Sequence, residues 1–167
     1  RLGGHRAEKH RAEKHRADVM PPVESSDPFD LDRFVRAQDG GVHDRAAAEM
    51  RRGRKTGHWM WFVFPQLRGL GSSPMAVGYA IGSLAEAAAY LRHPVLGPRL
   101  TAATGSLLEL GPEASAGGVF GGVDAMKLRS SMTLFARAVP GEPVFGAVLE
   151  RYFDGMADPA TERQLEA

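Results

Sequence analysis

The sequence VDAMKLRSSMTLFARA, residues 123–138, is the longest segment of the chain with a helical pattern of apolar side chains. With about 100° of rotation per residue, these side chains fall into two groups on different sides of the predicted helix. The first group is Leu128, Met132, Phe135 and Val139, and the second is Val123, Met126 and Leu134. Because both sides then need to be covered by other parts of the protein, we expect this helix to lie at the centre of a helical domain.

A polar stripe separates the two apolar groups. Asp124, Lys127 and Ser131 are three and four residues apart and therefore share one face of the helix. Since buried charges must be paired, the simplest interpretation is an Asp124–Lys127 ion pair with the serine bonded back to the helix. The alternative is the floor of a pocket, where Lys127 binds an anion or acts as a base, Ser131 donates a hydrogen bond, and Arg129 and Ser130 flank them. Under this alternative Lys127, Ser131 and Asp124 are catalytic candidates.

Both tryptophans of the chain fall in the segment HWMWFVFPQ, residues 58–66. Such an aromatic run usually builds core, and each indole N–H then needs a partner. The functional interpretation is an aromatic wall of a ligand pocket, formed by Trp59 and Trp61, with His58 and Gln66 as polar groups at its ends. His58 is a further catalytic candidate, because histidine is the common acid or base near neutral pH.

A basic cluster, RRGRK at residues 51–55, precedes the aromatic run, and Arg54 and Lys55 could hold a phosphate or carboxylate group there. Basic residues beside aromatic ones can also bind single-stranded nucleic acid. Residues 21–167, however, carry 15 Lys or Arg and 17 Asp or Glu, so they lack the positive charge of a nucleic-acid-binding protein. We therefore consider nucleic acid an improbable partner and a small anionic ligand the better prediction.

Several classes of site are excluded by composition. The chain has no cysteine, which rules out disulfides, thiolate metal sites and a cysteine nucleophile, and suits a cytoplasmic location. No apolar run approaches the roughly 20 residues that cross a bilayer. His43 and His93 lack metal-binding spacing, and the loop at residues 69–73 matches neither a P-loop nor a dinucleotide-binding motif. We predict neither a metal site nor a cofactor.

The 167 residues divide into two parts. Residues 1–26, with their repeated HRAEK, are predicted to be a disordered low-complexity tail and linker, and residues 27–167 a single helical domain. Caps, prolines and glycines predict seven or eight helices, at about 27–38, 43–52, 75–81, 83–92, 94–110 (kinked or split), 123–138, 143–153 and from 158, with one turn before 120. The fold is therefore mainly α. The alternative is α+β, with a minor strand pair near 58–65, because a lone strand cannot satisfy its backbone groups.

Several long strings of this sequence carry a resemblance to a known family. They are GHWMWFVFPQLRGLG (57–71), AYLRHPVLGPRL (89–100), VFGGVDAMKLRSSMTLF (119–135) and VFGAVLERYFDG (144–155). Residues 27–165 resemble the bacterial family called domain of unknown function 1810. The resemblance implies a mainly helical fold and no established activity. Nothing in these residues supports the calpastatin or protease-inhibitor label that some relatives carry.

Two functions follow from these patterns as hypotheses. The first is a domain that binds or processes a small anionic, nucleotide-like ligand in a pocket between the 58–66 segment and the 123–138 helix. The second is a non-catalytic protein-interaction module or a regulatory homodimer, which the absence of a complete catalytic motif favours. Whether the protein is an enzyme is left open by the sequence.

Overall fold

The computed structural model describes residues 26–167, and the predicted tail lies almost entirely outside them. Within this range there are ten α-helices and no strand. They are α1 (Asp32–Gln38), α2 (Val42–Arg52), α3 (Met60–Val63), α4 (Pro74–Gly78), α5 (Leu84–Arg92), α6 (Leu96–Leu108), α7 (Ala116–Phe120), α8 (Gly122–Ala138), α9 (Val144–Phe153) and α10 (Pro159–Glu166). The mainly α fold is confirmed, with more helices than the seven or eight expected.

Helix α8 lies at the centre of this domain, as the sequence predicts. It packs against α5, α7, α9 and α10, and Leu128, Met132 and Phe135 on its first apolar side are fully buried. The second apolar side differs from the prediction. Leu134 is buried, but Val123 and Met126 are each 70% exposed, because no helix of the described residues covers the first two turns of α8 on that side.

The segment near 58–65 forms neither a strand nor a strand pair, so the α+β alternative is wrong. Met60–Val63 is a single helical turn, α3, whose Val63 and Phe64 amides donate to the Trp59 and Met60 carbonyls. A short apolar run is compatible with either structure, and its tertiary contacts decide. The nearest approach to a sheet is one parallel bridge between Leu67 and Ile81, just beyond this segment.

Two helices differ from their predicted form, and local contacts explain both differences. Helix α1 begins at Asp32 rather than near Asp27, because the Asp27 carboxylate accepts hydrogen bonds from the Leu31 and Asp32 amides and so closes a preceding turn. Helix α6 is continuous rather than kinked or split. Its proline, Pro98, lies in the first turn, where the missing N–H has no intrahelical partner to lose.

The largest fully buried side chains of the core are aromatic, namely Phe34, Phe64, Tyr90, Phe135 and Phe145. Tyr90 packs against Phe34 and Phe135 with ring centroids 5.1 and 5.5 Å apart. No helix among residues 26–167 combines the length and the hydropathy needed to traverse a lipid bilayer.

Candidate functional site

A cleft of about 420 Å³ lies between the exposed start of α8, the loop after α3 and the start of α10. Its apolar lining comes from Val123 and Met126 of α8 and from Leu70, and its polar lining includes Lys127 and Gln66. The complete lining is Gln66, Leu70, Gly71, Ser72, Ser73, Ala76, Val123, Met126, Lys127, Ser130, Asp158 and Ala160. A cleft of this volume, largely apolar with a few polar groups, is typical of small-molecule sites.

Two lysines share one carboxylate beside this cleft. The Lys55 ammonium lies 2.8 Å from Asp124 Oδ2, and the Lys127 ammonium lies 3.5 Å from Asp124 Oδ1. Lys55 is nearly buried, with 7% of its side chain exposed, whereas 24% of the Lys127 side chain is exposed. Lys127 also lies over the ring of Trp61, 5.0 Å from its centroid. The two lysines and the aspartate together carry a charge of +1. Lys127, which is the more exposed and more weakly paired of the two lysines, is the one that lines the cleft.

The position of Lys55 depends on a buried carboxylate in α2. Glu49 is 6% exposed, and its Oε1 accepts hydrogen bonds from the Thr56 amide at 2.5 Å, the Gly57 amide at 2.6 Å and the Trp59 indole at 3.2 Å. Burial alone would raise the pKa of Glu49, but these hydrogen bonds outweigh it and hold the pKa below its ordinary value. The loop that carries Lys55 is thus fixed on Glu49, and the Lys55 ammonium donates to the Gly57 carbonyl within that loop.

A carboxylate, that of Asp158, also lines the cleft. Asp158 caps α10, where its Oδ2 accepts from the Thr161 amide at 3.0 Å and from the Thr161 hydroxyl at 2.6 Å. The hydroxyl of Ser130, one turn along α8 from Lys127, lies 3.1 Å from the same oxygen. The cleft is therefore lined by the Lys127 cation and, about one turn further along α8, by a hydrogen-bonded carboxylate.

The structure brings some of the predicted site residues together and separates others. Lys127, Ser130 and Gln66 line the cleft, while Asp124, Lys55 and Trp61 adjoin it through Lys127. The remaining predicted residues do not line it. They are His58 and Arg54, which are exposed, Trp59, which is 3% exposed, and Ser131, which is fully buried.

Trp59 and Ser131 do not line the cleft because both are part of the buried interior. The Trp59 indole donates to Glu49 and is part of the core, in agreement with the structural interpretation. Ser131 lies on the buried part of α8, and its hydroxyl has no hydrogen-bond partner among the described residues, so it is not bonded back to the helix. The polar stripe is therefore accessible only at its first two residues, Asp124 and Lys127.

Residues that sequence reasoning missed are Glu49 and Asp158, whereas the loop at residues 69–73 was considered and interpreted as lacking a known phosphate-binding motif. Glu49 falls on the same side of α2 as the buried Ala46 and Met50, and a charge on a buried face was the available signal. Asp158 was identified only as a helix cap. Nothing local in the sequence indicates that this cap lies against α8.

A larger cavity, of about 710 Å³, is lined by residues 26–32 and by the end of α5. Asp27 and Asp32 face Arg92 there, so its formal charge does not suit an anion. The Nδ1 of His93 accepts from the amides of Val95 and Leu96 and is already occupied. Among residues 26–167 no group of three or more His, Asp or Glu could hold a metal ion.

Comparisons with known proteins give a family and a solved structure. The family model described as "Protein of unknown function (DUF1810)" matches residues 28–165. The chain is also similar to the crystal structure of the conserved hypothetical protein Rv1873 from Mycobacterium tuberculosis, with 54% identity and a TM-score of 0.81 over 84% of this chain and 99% of that one. No curated protein matches. Neither description states an activity.

Proposed function

Since the chain belongs to the DUF1810 family, whose description gives no function, we propose one from the chemistry of the cleft. The protein binds a small anionic, nucleotide-like ligand between the 58–66 segment and α8. The proposal rests on one observation: Lys55 and Lys127 both contact the Asp124 carboxylate, but at different distances and with different exposure. Lys55 takes the short, nearly buried contact of 2.8 Å, which leaves the Lys127 ammonium as the surplus positive charge at the cleft.

The surroundings of Lys127 favour a ligand over bulk water. The Trp61 ring restrains the ammonium from one side, and an ordered lysine loses less conformational freedom when it binds an anion. Val123 and Met126 offer apolar surface to a flat or aliphatic part of the ligand. An anion bonded to an apolar ring system, as in a nucleotide, matches this combination.

We assign no reaction to the cleft. Of the four catalytic candidates, Lys127 lines it and Asp124 contacts Lys127, whereas His58 is exposed elsewhere and Ser131 is buried. A Lys–Ser nucleophile pair needs a serine that a substrate can reach. The proposal is therefore one of binding.

The test is titration with inorganic phosphate and with adenosine 5′-monophosphate, followed by thermal shift and by the fluorescence of Trp61 in a Trp59→Phe background. Lys127→Met keeps the aliphatic stem and removes the charge, so we expect binding to weaken by about tenfold or more, the equivalent of ~1.4 kcal/mol. Arg54→Ala is the matched control, because Arg54 is exposed and does not line the cleft. The proposal fails if neither anion binds, or if the two variants lose affinity equally.

A second candidate function is a homodimer or protein-interaction module that uses the same face. Val123 and Met126 are three residues apart on α8 and each 70% exposed, so they form a contiguous apolar surface, and such surfaces mark contact sites. Light scattering across a concentration series tests it. A dimer that Val123→Ser with Met126→Ser dissociates would support this function, and a monomer at all concentrations would contradict the homodimer.

A further inference from the structure

We infer that the ligand of the cleft carries, besides its anionic group, an amino group that donates a hydrogen bond to Asp158. This inference rests on the proposed function and names the class of ligand within it. The class is a nucleotide with an exocyclic amine on its base.

The free oxygen of Asp158 is the starting observation. Its Oδ2 accepts from the amide and the hydroxyl of Thr161 and lies 3.1 Å from the Ser130 hydroxyl, whose single proton it shares with the Met126 carbonyl. Its Oδ1 accepts none within residues 26–167, although Asp158 is only partly exposed and lines the cleft. A carboxylate oxygen can only accept, so a ligand group beside Oδ1 must donate to be favourable.

The carboxylate is also held in place before any ligand arrives. The Asp158 amide donates to the Thr133 hydroxyl at 2.8 Å. The Arg129 guanidinium donates to the carbonyls of Met156 and Ala157, at 2.8 and 2.9 Å, and so fixes the chain that leads into Asp158. A preorganised acceptor discriminates well, because it cannot turn away from a ligand that lacks the donor.

The spacing of Lys127 and Asp158 sets the size of the ligand. Lys127 and Ser130 are three residues apart on α8, which separates their Cβ atoms by about 5–6 Å, and Ser130 reaches Asp158 across one hydrogen bond of 3.1 Å. The Lys127 ammonium itself extends back towards Asp124 and Trp61, so the cation lies further from Asp158 than the Cβ spacing of one helical turn alone would place it. An α-amino acid is too short to reach both, whereas the phosphate and the base amine of a mononucleotide are separated by a ribose.

Gln66 and Ser72 are two further polar residues of the lining. Both can donate as well as accept, so they tolerate many groups and provide little selection. Asp158, as a pure acceptor, is therefore the residue that determines specificity.

The experiment compares matched probes on the full chain by isothermal titration calorimetry. Adenosine 5′-monophosphate is set against purine riboside 5′-monophosphate, and guanosine 5′-monophosphate against inosine 5′-monophosphate, so that each pair differs by one amine. We expect at least one amine-bearing probe to bind about tenfold or more tightly than its partner, since hydrogen bonds to charged groups are the strong ones. In Asp158→Asn, which keeps a good N-cap, the preference should fall to about twofold or less, while inorganic phosphate binds at least as well.

The outcomes separate the two proposals. Binding of all four nucleotides through Lys127 with no amine preference in the wild type overturns the present inference and leaves the proposed function intact. A preference that persists in Asp158→Asn also overturns it, and Asp154→Asn, at an exposed position outside the cleft, is the matched control. Failure of every anion to bind overturns the proposed function and this inference with it.

Discussion

Replacing Glu49 is the sharpest test of how the cleft is supported. Its Oε1 accepts three hydrogen bonds, two from backbone amides and one from the Trp59 indole, and all three donors lose their partner in Glu49→Ala. A hydrogen bond to a charged group contributes about 1.5–3 kcal/mol, and three that share one oxygen contribute less than three times that. We expect the free energy of unfolding to fall by about 3–5 kcal/mol, and by about 1–2 kcal/mol in Glu49→Gln, which keeps a neutral oxygen.

Urea unfolding followed by circular dichroism measures these losses, with Glu109→Gln as the control because Glu109 is exposed. The pKa of Glu49 is lowered in the folded state, so its contribution is complete above the ordinary glutamate pKa of about 4.3. As pH falls through the folded-state pKa the contribution disappears. The difference between the wild type and Glu49→Gln should therefore shrink as pH falls below about 4.3 and through the folded-state pKa. A loss below about 1 kcal/mol in Glu49→Ala, or a difference that does not change with pH, would refute this account of the loop.

Two further predictions concern α6 and its neighbours. A Cβ at Gly97 would lie 2.1 Å from the Leu91 carbonyl oxygen, so Gly97→Ala should destabilise the protein by about 2–4 kcal/mol in thermal unfolding. The control is Gly105→Ala in the same helix, which has open space around it and should be neutral or stabilise by up to about 1 kcal/mol. Burial and, secondly, the nearby Arg99 guanidinium lower the pKa of His43. Proton NMR should therefore show the pKa of His43 below its ordinary value of about 6.5, and this pKa should rise towards that value in Arg99→Met. Because the unfolded chain then takes up the proton first, His43 stabilises the fold above about pH 6.5 and ceases to do so as pH falls through its folded-state pKa.

The apolar periodicity of residues 123–138 and the caps at Ser83 and Asp158 were sufficient to predict a helical domain and the position of its central helix. Caps and periodicity are properties of residues three and four apart, so the sequence contains them directly. The family resemblance added the same fold. For the same reason the Asp124–Lys127 contact could be predicted, since both residues lie on one helix.

Only the tertiary structure decided which polar groups meet. Lys55 approaches Asp124 from a loop far away in the chain, and Asp158 approaches Ser130 from a helix cap 28 residues further on. The tertiary structure also decided that residues 58–65 contain a single helical turn with Trp59 buried. It leaves the second apolar side of α8 exposed in the first turns of that helix. These arrangements depend on how whole helices pack, and packing joins residues whose separation along the chain leaves no periodic trace in the sequence.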